Sequence, residues 1–351
     1  MDSLEILRPL LGFLMSLFGT IYVIPHSMRK LSEKGYIAKD MYKLDKPKIP
    51  TNAGLILLFV TYISILVTPL IFRVFSIFTG QKGEMDYNSI NIIILMVVSI
   101  FTIYGLIDDL VDVGRKLKVL FPIFFTLPLA YTVNLDTIVL YYFGNIELSK
   151  SFFGVILYED IIRFLAIPLY VMVVSNLVNM HSGYNGLQSG LSAILITALI
   201  VKSNLEGNFE NIEISAFFLG SILGFLYFNY FPAKIFEGNI GSLLFGSLIG
   251  CMIVVQQEWF FGFFILIPHT FNFFLWIYWL IMMKTNPSHY LKEDGSHQKF
   301  AQVDEKWYIH VPFPLTLKWV ANYYFNLTEP QSTWVAFSLT IMFCITGLII
   351  F

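Results

Sequence analysis

Charge is scarce in this sequence. Of 351 residues only 13% are Asp, Glu, Lys or Arg, against about 25% in soluble domains, too little to cover a water-facing surface. Hydrophobic residues make up 56% and aromatic residues 17%, and mean hydropathy is +0.70. A soluble nucleotide-binding enzyme, a secreted disulfide scaffold, a disordered linker and a coiled coil are excluded; the bulk of the chain belongs in a membrane. Cysteine is nearly absent too. Cys251 and Cys344 both lie in apolar runs and form neither a CxxC nor a zinc spacing, so they say nothing about redox compartment. With a net charge of -2 and no basic stripe, no nucleic-acid partner is expected. The first apolar run, 4–24, lacks a basic leader and an AxA-like cleavage site, and reads as a retained transmembrane helix. There is no internal repeat and no HExxH.

What the sequence does have is a succession of long apolar runs. About 20 apolar residues in a helix cross the hydrocarbon, and runs of this kind fall at 4–24, 52–73, 89–107, 119–143, 161–178, 190–203, 213–229, 238–256, 259–283 and 333–351. The expected fold is an all-α polytopic membrane protein of about ten transmembrane helices, forming one integral-membrane domain over 1–351. Pro122, Pro128 and Asn134 predict a kink or a late exit in the fourth run. Alternating the ten runs places the loops 25–51, 105–118, 176–189, 230–237 and 284–332 on one face. Sixteen of the 22 Lys and Arg residues lie there. By the positive-inside rule that face is cytoplasmic, with both termini on the non-cytoplasmic side.

Polar residues in such a chain are costly, so their positions carry the functional signal. Asp108 and Asp109 end an otherwise apolar helix, with Asp112 one turn on and Arg115, Lys116 and Lys118 beyond. Carboxylates this close repel unless a cation lies between them or one is protonated. Mg²⁺ takes one or two carboxylates plus substrate phosphates; a helix end with solvated charges is the plainer alternative. A second cluster, 176–190, holds Asn176, Asn179, His181, Asn185, Gln188 and three glycines without formal charge. Its amides suit phosphate, sugar or base, although a connector could share this composition. A third, 228–242, sets Glu237 and Asn239 just before a new apolar run, as metal or phosphate ligands or as a structural cap. A fourth, 284–292, contains His289, which could touch a phosphate; His297 and His310 do not complete a compact metal motif. The lysines of 39–50 favour anionic lipid or substrate phosphate. The sequon Asn326-Leu327-Thr328 falls in an expected cytoplasmic loop and reads as unused.

These clusters converge on one face, whereas a transporter more often places polar groups near the midplane on broken helices. A carboxylate centre at the membrane surface points to an enzyme joining a water-soluble phosphate compound to a lipid. A transporter or a non-catalytic scaffold is the alternative of another class.

GLIDD at 105–109 with RKLK at 115–118, NLVNMHSGYNGLQSG at 176–190 and FPAKIFEGN at 231–239 together resemble the polyprenyl-phosphate N-acetylhexosamine-1-phosphate transferases (glycosyltransferase family 4). The likeness is greatest to the archaeal and eukaryotic branch that makes dolichyl-diphosphate-GlcNAc. It implies ten helices around a cytoplasmic-face groove, and Mg²⁺-dependent (or Mn²⁺-dependent) transfer of GlcNAc-1-phosphate from UDP-GlcNAc to dolichyl or polyprenyl phosphate. UMP leaves, and lipid-linked oligosaccharide synthesis for protein N-glycosylation begins. The expected setting is an archaeal plasma membrane, or the endoplasmic reticulum in a eukaryote, with a homodimer among the possible states. By match, Asp108 and Asp109 resemble the catalytic aspartates, Asp112 a nucleotide-side position and Lys118 a phosphate-contacting lysine. Asn179 resembles a magnesium-binding asparagine, Asn185 the residue that reads uracil, Phe236 a lining residue of the uracil pocket and His289 the histidine of the sugar loop. Asp109, Asn179, Asn239 and Glu237 form the implied metal set. Asn239 stands where the family usually has Asp, Thr51-Asn52 where a carboxylate is common, and Pro287-Ser288-His289-Tyr290 lacks flanking arginines. These departures keep open a divergent member that uses another UDP-N-acetylhexosamine.

Overall fold

A computed structural model describes all residues except 1–2, 80–86, 112, 134, 136, 140–143, 148–150, 153–155, 209–211 and 288–299. Asp112 and His289 therefore lie outside the described residues. The architecture is helical, in the order α1 (Ser3–Glu33), α2 (Gly54–Thr79), α3 (Ser89–Val111), α4 (Arg115–Phe125), α5 (Leu127–Thr132), α6 (Tyr158–Ile161), α7 (Ile167–Met180), α8 (Leu187–Leu205), α9 (Ile212–Asn229), α10 (Gly238–Gln256), α11 (Trp259–Ile265), α12 (Ile267–Thr285), α13 (Leu317–Tyr324) and α14 (Glu329–Ile350). A π-helical turn, Ile162–Ala166, joins α6 to α7. Among the described residues the sheet content is four short antiparallel hairpins: β1 (Ile37–Lys39) with β2 (Lys48–Pro50), β3 (Thr137–Val139) with β4 (Asn145–Glu147), β5 (Ser151–Phe152) with β6 (Ile156–Leu157), and β7 (Gln302–Val303) with β8 (Ile309–His310).

Among the described residues eight helices are long and apolar enough to cross a membrane, or nine when α11 and α12, bent by 61°, count as one span. The helical, multi-span membrane fold is the one expected, with eight or nine such helices among the described residues beside an expected count of about ten. The run at 119–143 is no single span: α4 ends at Phe125, α5 restarts with Pro128 in its first turn, and the chain turns extended at Val133 before β3. Proline lacks the N–H that would continue the helix; Pro122 is accommodated inside α4, and the run breaks at Thr126, beside Pro128.

The bundle is organised around α10, which is buried along nearly its whole length and packs on α2, α3, α7 and α8. Its neighbours come close because glycines face them. A Cβ on Gly105 of α3 would lie 2.7 Å from Ile240 Cα, and one on Gly246 of α10 would lie 2.6 Å from Ser175 Cα of α7. Phe101, Phe217, Phe218, Phe225, Phe245 and Phe261 fill the interior, while Phe18, Tyr22, Phe59, Leu66 and Leu70 of α1 and α2 stay exposed, as a lipid-facing surface allows. A second apolar cluster, with Tyr42, Tyr184, Ile309, Phe313 and Trp319, binds the loops at one end of the bundle to α8 and α14.

Overpacking a helix contact costs roughly 1–3 kcal/mol, and here the obstruction is backbone. Gly246→Val should lower the thermal midpoint of the detergent-purified protein by several degrees or abolish its monodisperse recovery. Gly114→Ala, where nothing lies within 4 Å, should match the parent in the same melting experiment.

Candidate active site

The close approach of α3 and α10 brings the paired aspartates to the start of α10. Asp108 is buried. Its Oδ1 accepts the Val113 N–H at 3.1 Å and lies 2.8 Å from Lys118 Nζ, and its Oδ2 accepts Asn239 Nδ2 at 3.1 Å. Asp109 faces the backbone N–H groups of Asn239 and Ile240, the positive end of the α10 dipole, yet its buried Oδ2 has no hydrogen-bond partner. That oxygen approaches Gly238, as does Asn52 Oδ1: a Cβ there would lie 3.0 Å from the first and 2.6 Å from the second. Gly238 has φ +71° and Asn52 φ +73°, so both hold left-handed backbone at this point. Lys118 is 34% exposed at its side chain.

The segments around this centre are stitched together by backbone hydrogen bonds. Phe236 N donates to Pro50 O at 2.9 Å, Ala53 N to Phe236 O at 3.1 Å and Gly54 N to Glu237 O at 3.1 Å. Glu237 Oε2 accepts Asn229 Nδ2 at 3.1 Å; burial pushes its carboxyl up to about 7, against the pull of that hydrogen bond. Gln188 ties α8 to both neighbours, donating to Val178 O at 2.9 Å and accepting from Ser242 Oγ at 2.8 Å. Asn179 is partly exposed on the last turn of α7, four residues beyond the Ser175 that faces Gly246. Antiparallel packing therefore sets it level with the first turns of α10. The structure thus gathers Asp108, Asp109, Lys118 and Asn239 in direct contact, with Glu237, Phe236 and Asn179 on the adjoining segments.

Asn185 is placed differently from a free ligand-reading side chain. It is buried; its Oδ1 accepts the Ala233 N–H at 2.9 Å and its Nδ2 donates to Asp40 at 3.1 Å. Asp40, Lys43 and Glu329, all buried, are residues that sequence reasoning missed. In the sequence Lys43 is one of several loop lysines; the only local signal of its role is the spacing of three from Asp40, with which it pairs. Glu329 follows a legible start signal, since Thr328 and Gln331 form a capping box. Lys318 was also missed: its Nζ donates to Ser182 O at 2.7 Å and lies over the Tyr42 and Tyr184 rings. His181 packs edge-on against His269 at 4.6 Å between ring centroids, and burial first, with the nearby His269 and Lys318 second, holds its imidazole well below the usual range and so neutral.

No group of three or more His, Cys, Asp or Glu residues among those described forms a metal cluster. A hard cation that relies on substrate phosphates needs no such cluster. The unpartnered Asp109 oxygen beside the Asn239 amide is a donor set that fits Mg²⁺.

The chain was compared with known proteins. The profile of glycosyl transferase family 4 matches residues 91–257, which include Asp108, Asp109, Asn179, Asn185, Glu237 and Asn239. A Saccharolobus solfataricus protein with the candidate name UDP-N-acetylglucosamine–dolichyl-phosphate N-acetylglucosaminephosphotransferase is 31% identical over 258 residues, 72% of this chain and 71% of its own length. A Sulfolobus acidocaldarius protein with the same candidate name is 27% identical over 273 residues, 77% and 76% of the two chains. A phospho-N-acetylmuramoyl-pentapeptide-transferase of Streptococcus pyogenes is 28% identical over 263 residues, 73% and 74% of the two chains.

Burial lowers the Lys318 ammonium to about 8, with Glu329 opposing the shift. Between there and its ordinary 10.5 the folded state binds fewer protons than the unfolded chain, so this group makes stability rise with pH across that window. Melting curves from pH 7 to about 10.5 should show the wild-type midpoint gaining on that of Lys318→Met as pH increases; parallel profiles would contradict the assignment.

Proposed function

The chain belongs to glycosyl transferase family 4, and from that membership we propose that it transfers a sugar-1-phosphate, GlcNAc-1-phosphate, from UDP-GlcNAc to dolichyl or polyprenyl phosphate. The observation that carries this reading is the Asp108–Asp109 pair at the end of an apolar helix, where one carboxylate is bonded to Lys118 and Asn239 and the other keeps a buried oxygen unpartnered. In the reaction an oxygen of the lipid phosphate forms a bond to the β-phosphorus of the UDP-sugar. The bond from that phosphorus to the bridging oxygen breaks, and UMP leaves with the electron pair. The product is a lipid diphosphate sugar, the starting unit for lipid-linked oligosaccharide.

The lipid substrate reaches a site at the membrane surface through the bilayer, so its long chain never has to enter water. A phosphate nucleophile is already ionised at neutral pH and scarcely needs a base, so Asp108 and Lys118 act by orienting it. Lys118 exchanges part of its pairing with Asp108 for the incoming phosphate, and the N–H groups at the start of α10 add positive potential. Asp109, Asn179, Asn239 and Glu237 would hold Mg²⁺, with Mn²⁺ as its substitute; when bound, the ion offsets charge on the pyrophosphate in transfer. Asn185 and Phe236 define the nucleotide side, joined in this reading by Asp112, and His289 serves the sugar. The cytoplasmic face of an archaeal plasma membrane suits these substrates and the archaeal relatives. The Pro287-Ser288-His289-Tyr290 departure favours one second reading, the same chemistry on a different UDP-N-acetylhexosamine.

The purified protein should release UMP from UDP-GlcNAc only when both Mg²⁺ and polyprenyl or dolichyl phosphate are present, and Asp109→Asn should reduce the rate at least 100-fold, on the order of other transition-state charge deletions. UMP released from another UDP-sugar would keep the mechanism and change the product. No release from any UDP-sugar by folded protein would contradict the reading. Asn239→Asp adds a carboxylate beside Asp108 and Asp109, so the Mg²⁺ concentration giving half-maximal rate should fall several-fold; an unchanged requirement would remove Asn239 from the metal set.

A further inference from the structure

Glu329, Lys43 and Asp40, which the transfer chemistry does not itself use, form a buried knot with Asn185, each of the four no more than 4% exposed. The four come from the β1–β2 loop, the α7–α8 loop and the first residue of α14, with Lys43 and Glu329 separated by 286 positions. Lys43 Nζ lies 3.1 Å from Asp40 Oδ2 and is hydrogen-bonded to Glu329 Oε2. The other Glu329 oxygen accepts the backbone N–H of Asn185 at 2.6 Å. The Asn185 side chain then donates to Asp40 and accepts from Ala233. Three chain segments thus fix one residue through its backbone and both ends of its amide. An asparagine amide has two hydrogens and two lone pairs, so Asn185 keeps one donor and one acceptor whose directions the knot determines.

Stability alone does not explain this arrangement. Burying an ion pair costs about what it returns, and apolar residues of similar volume often serve as well or better. What apolar packing cannot supply is the fixed orientation of an amide. Lys318, over the Tyr42 and Tyr184 rings, brings a second cation to the same region, so two carboxylates and two ammonium groups are nearly balanced and no net charge has to be neutralised by a ligand.

We propose that Glu329, acting through Lys43 and Asp40, is a positioning residue that sets Asn185 for the nucleotide end of the donor. This rests on the transferase reading above and adds a residue and a role: the C-terminal helix holds the donor side of the site and leaves the acceptor side alone. Glu329→Gln keeps an oxygen for the Asn185 N–H but removes the charge that anchors Lys43.

The test is steady-state kinetics in both substrates, together with calorimetric binding of UDP. Glu329→Gln should raise the KM for the UDP-sugar and weaken UDP binding, each roughly tenfold, as small misplacements of binding groups do. The KM for the lipid phosphate and kcat should stay within about twofold. Lys43→Met/Glu329→Gln, which removes both charges, should recover the thermal midpoint without recovering UDP affinity. If Glu329→Gln is not recovered folded, Asp40→Asn is read in the same way. Unchanged UDP affinity, or a parallel loss in both KM values, kcat and thermal midpoint, would overturn the proposal. If the wild type bound UDP but transferred nothing, the transferase reading would fail, while weaker UDP binding by the variant would still uphold the positioning role.

Discussion

Two adjacent carboxylates at the end of an apolar helix repel each other and resist leaving water, so the molecule needs a place where that charge is tolerated. The start of α10 provides it. Gly105 allows the backbones of α3 and α10 to meet, and this contact brings Asp109 to the N–H groups of Asn239 and Ile240 and Asp108 to the Asn239 amide. The partial positive charge of a helix N-terminus acts over only its first turn, so a few ångströms of separation would remove the compensation. Gly246 repeats the device against α7, the helix that carries Asn179.

Around that centre the loops are fixed by polar bonds rather than by sheet or by a separate domain. The chain at 50–54 is bonded to 236–237, Gln188 bridges α7 and α10, and the Asp40–Lys43–Glu329 knot joins the first loop to the last helix. Each bond is individually modest, about 1 kcal/mol net, and in a partly desolvated setting breaking one leaves a buried group unmatched. That asymmetry makes the loops behave as one rigid mouth on the bundle, with the apolar cluster of Tyr42, Tyr184, Phe313 and Trp319 beneath them.

Much of this was legible in the sequence because the cost of polar residues in a membrane confines them to places with a purpose. Asp108, Asp109, Lys118, Glu237 and Asn239 were identifiable for that reason, and the structure brings them to adjoining segments. In the fourth apolar run the prolines signalled an irregularity but not its form: Pro122 sits inside α4, and the chain breaks at Thr126, beside Pro128. The roles of Asp40, Lys43 and Glu329 were hidden for a different reason: a pairing across 286 positions leaves no local pattern, and a lysine in a basic loop looks like surface charge. Asn185 was visible as a polar residue, but its three protein partners belong to tertiary structure.

The central claim is that the sugar and the β-phosphate pass together from the donor to the lipid phosphate, and a label on the β-phosphate tests it most directly. With UDP-GlcNAc radiolabelled at that phosphorus and dolichyl phosphate as acceptor, the account predicts that label moves into the organic phase while unlabelled UMP appears in the aqueous phase in equal amount. Label remaining in water as UDP would mean that the sugar alone is transferred, and label remaining as a free sugar phosphate would mean hydrolysis; either result would contradict the account.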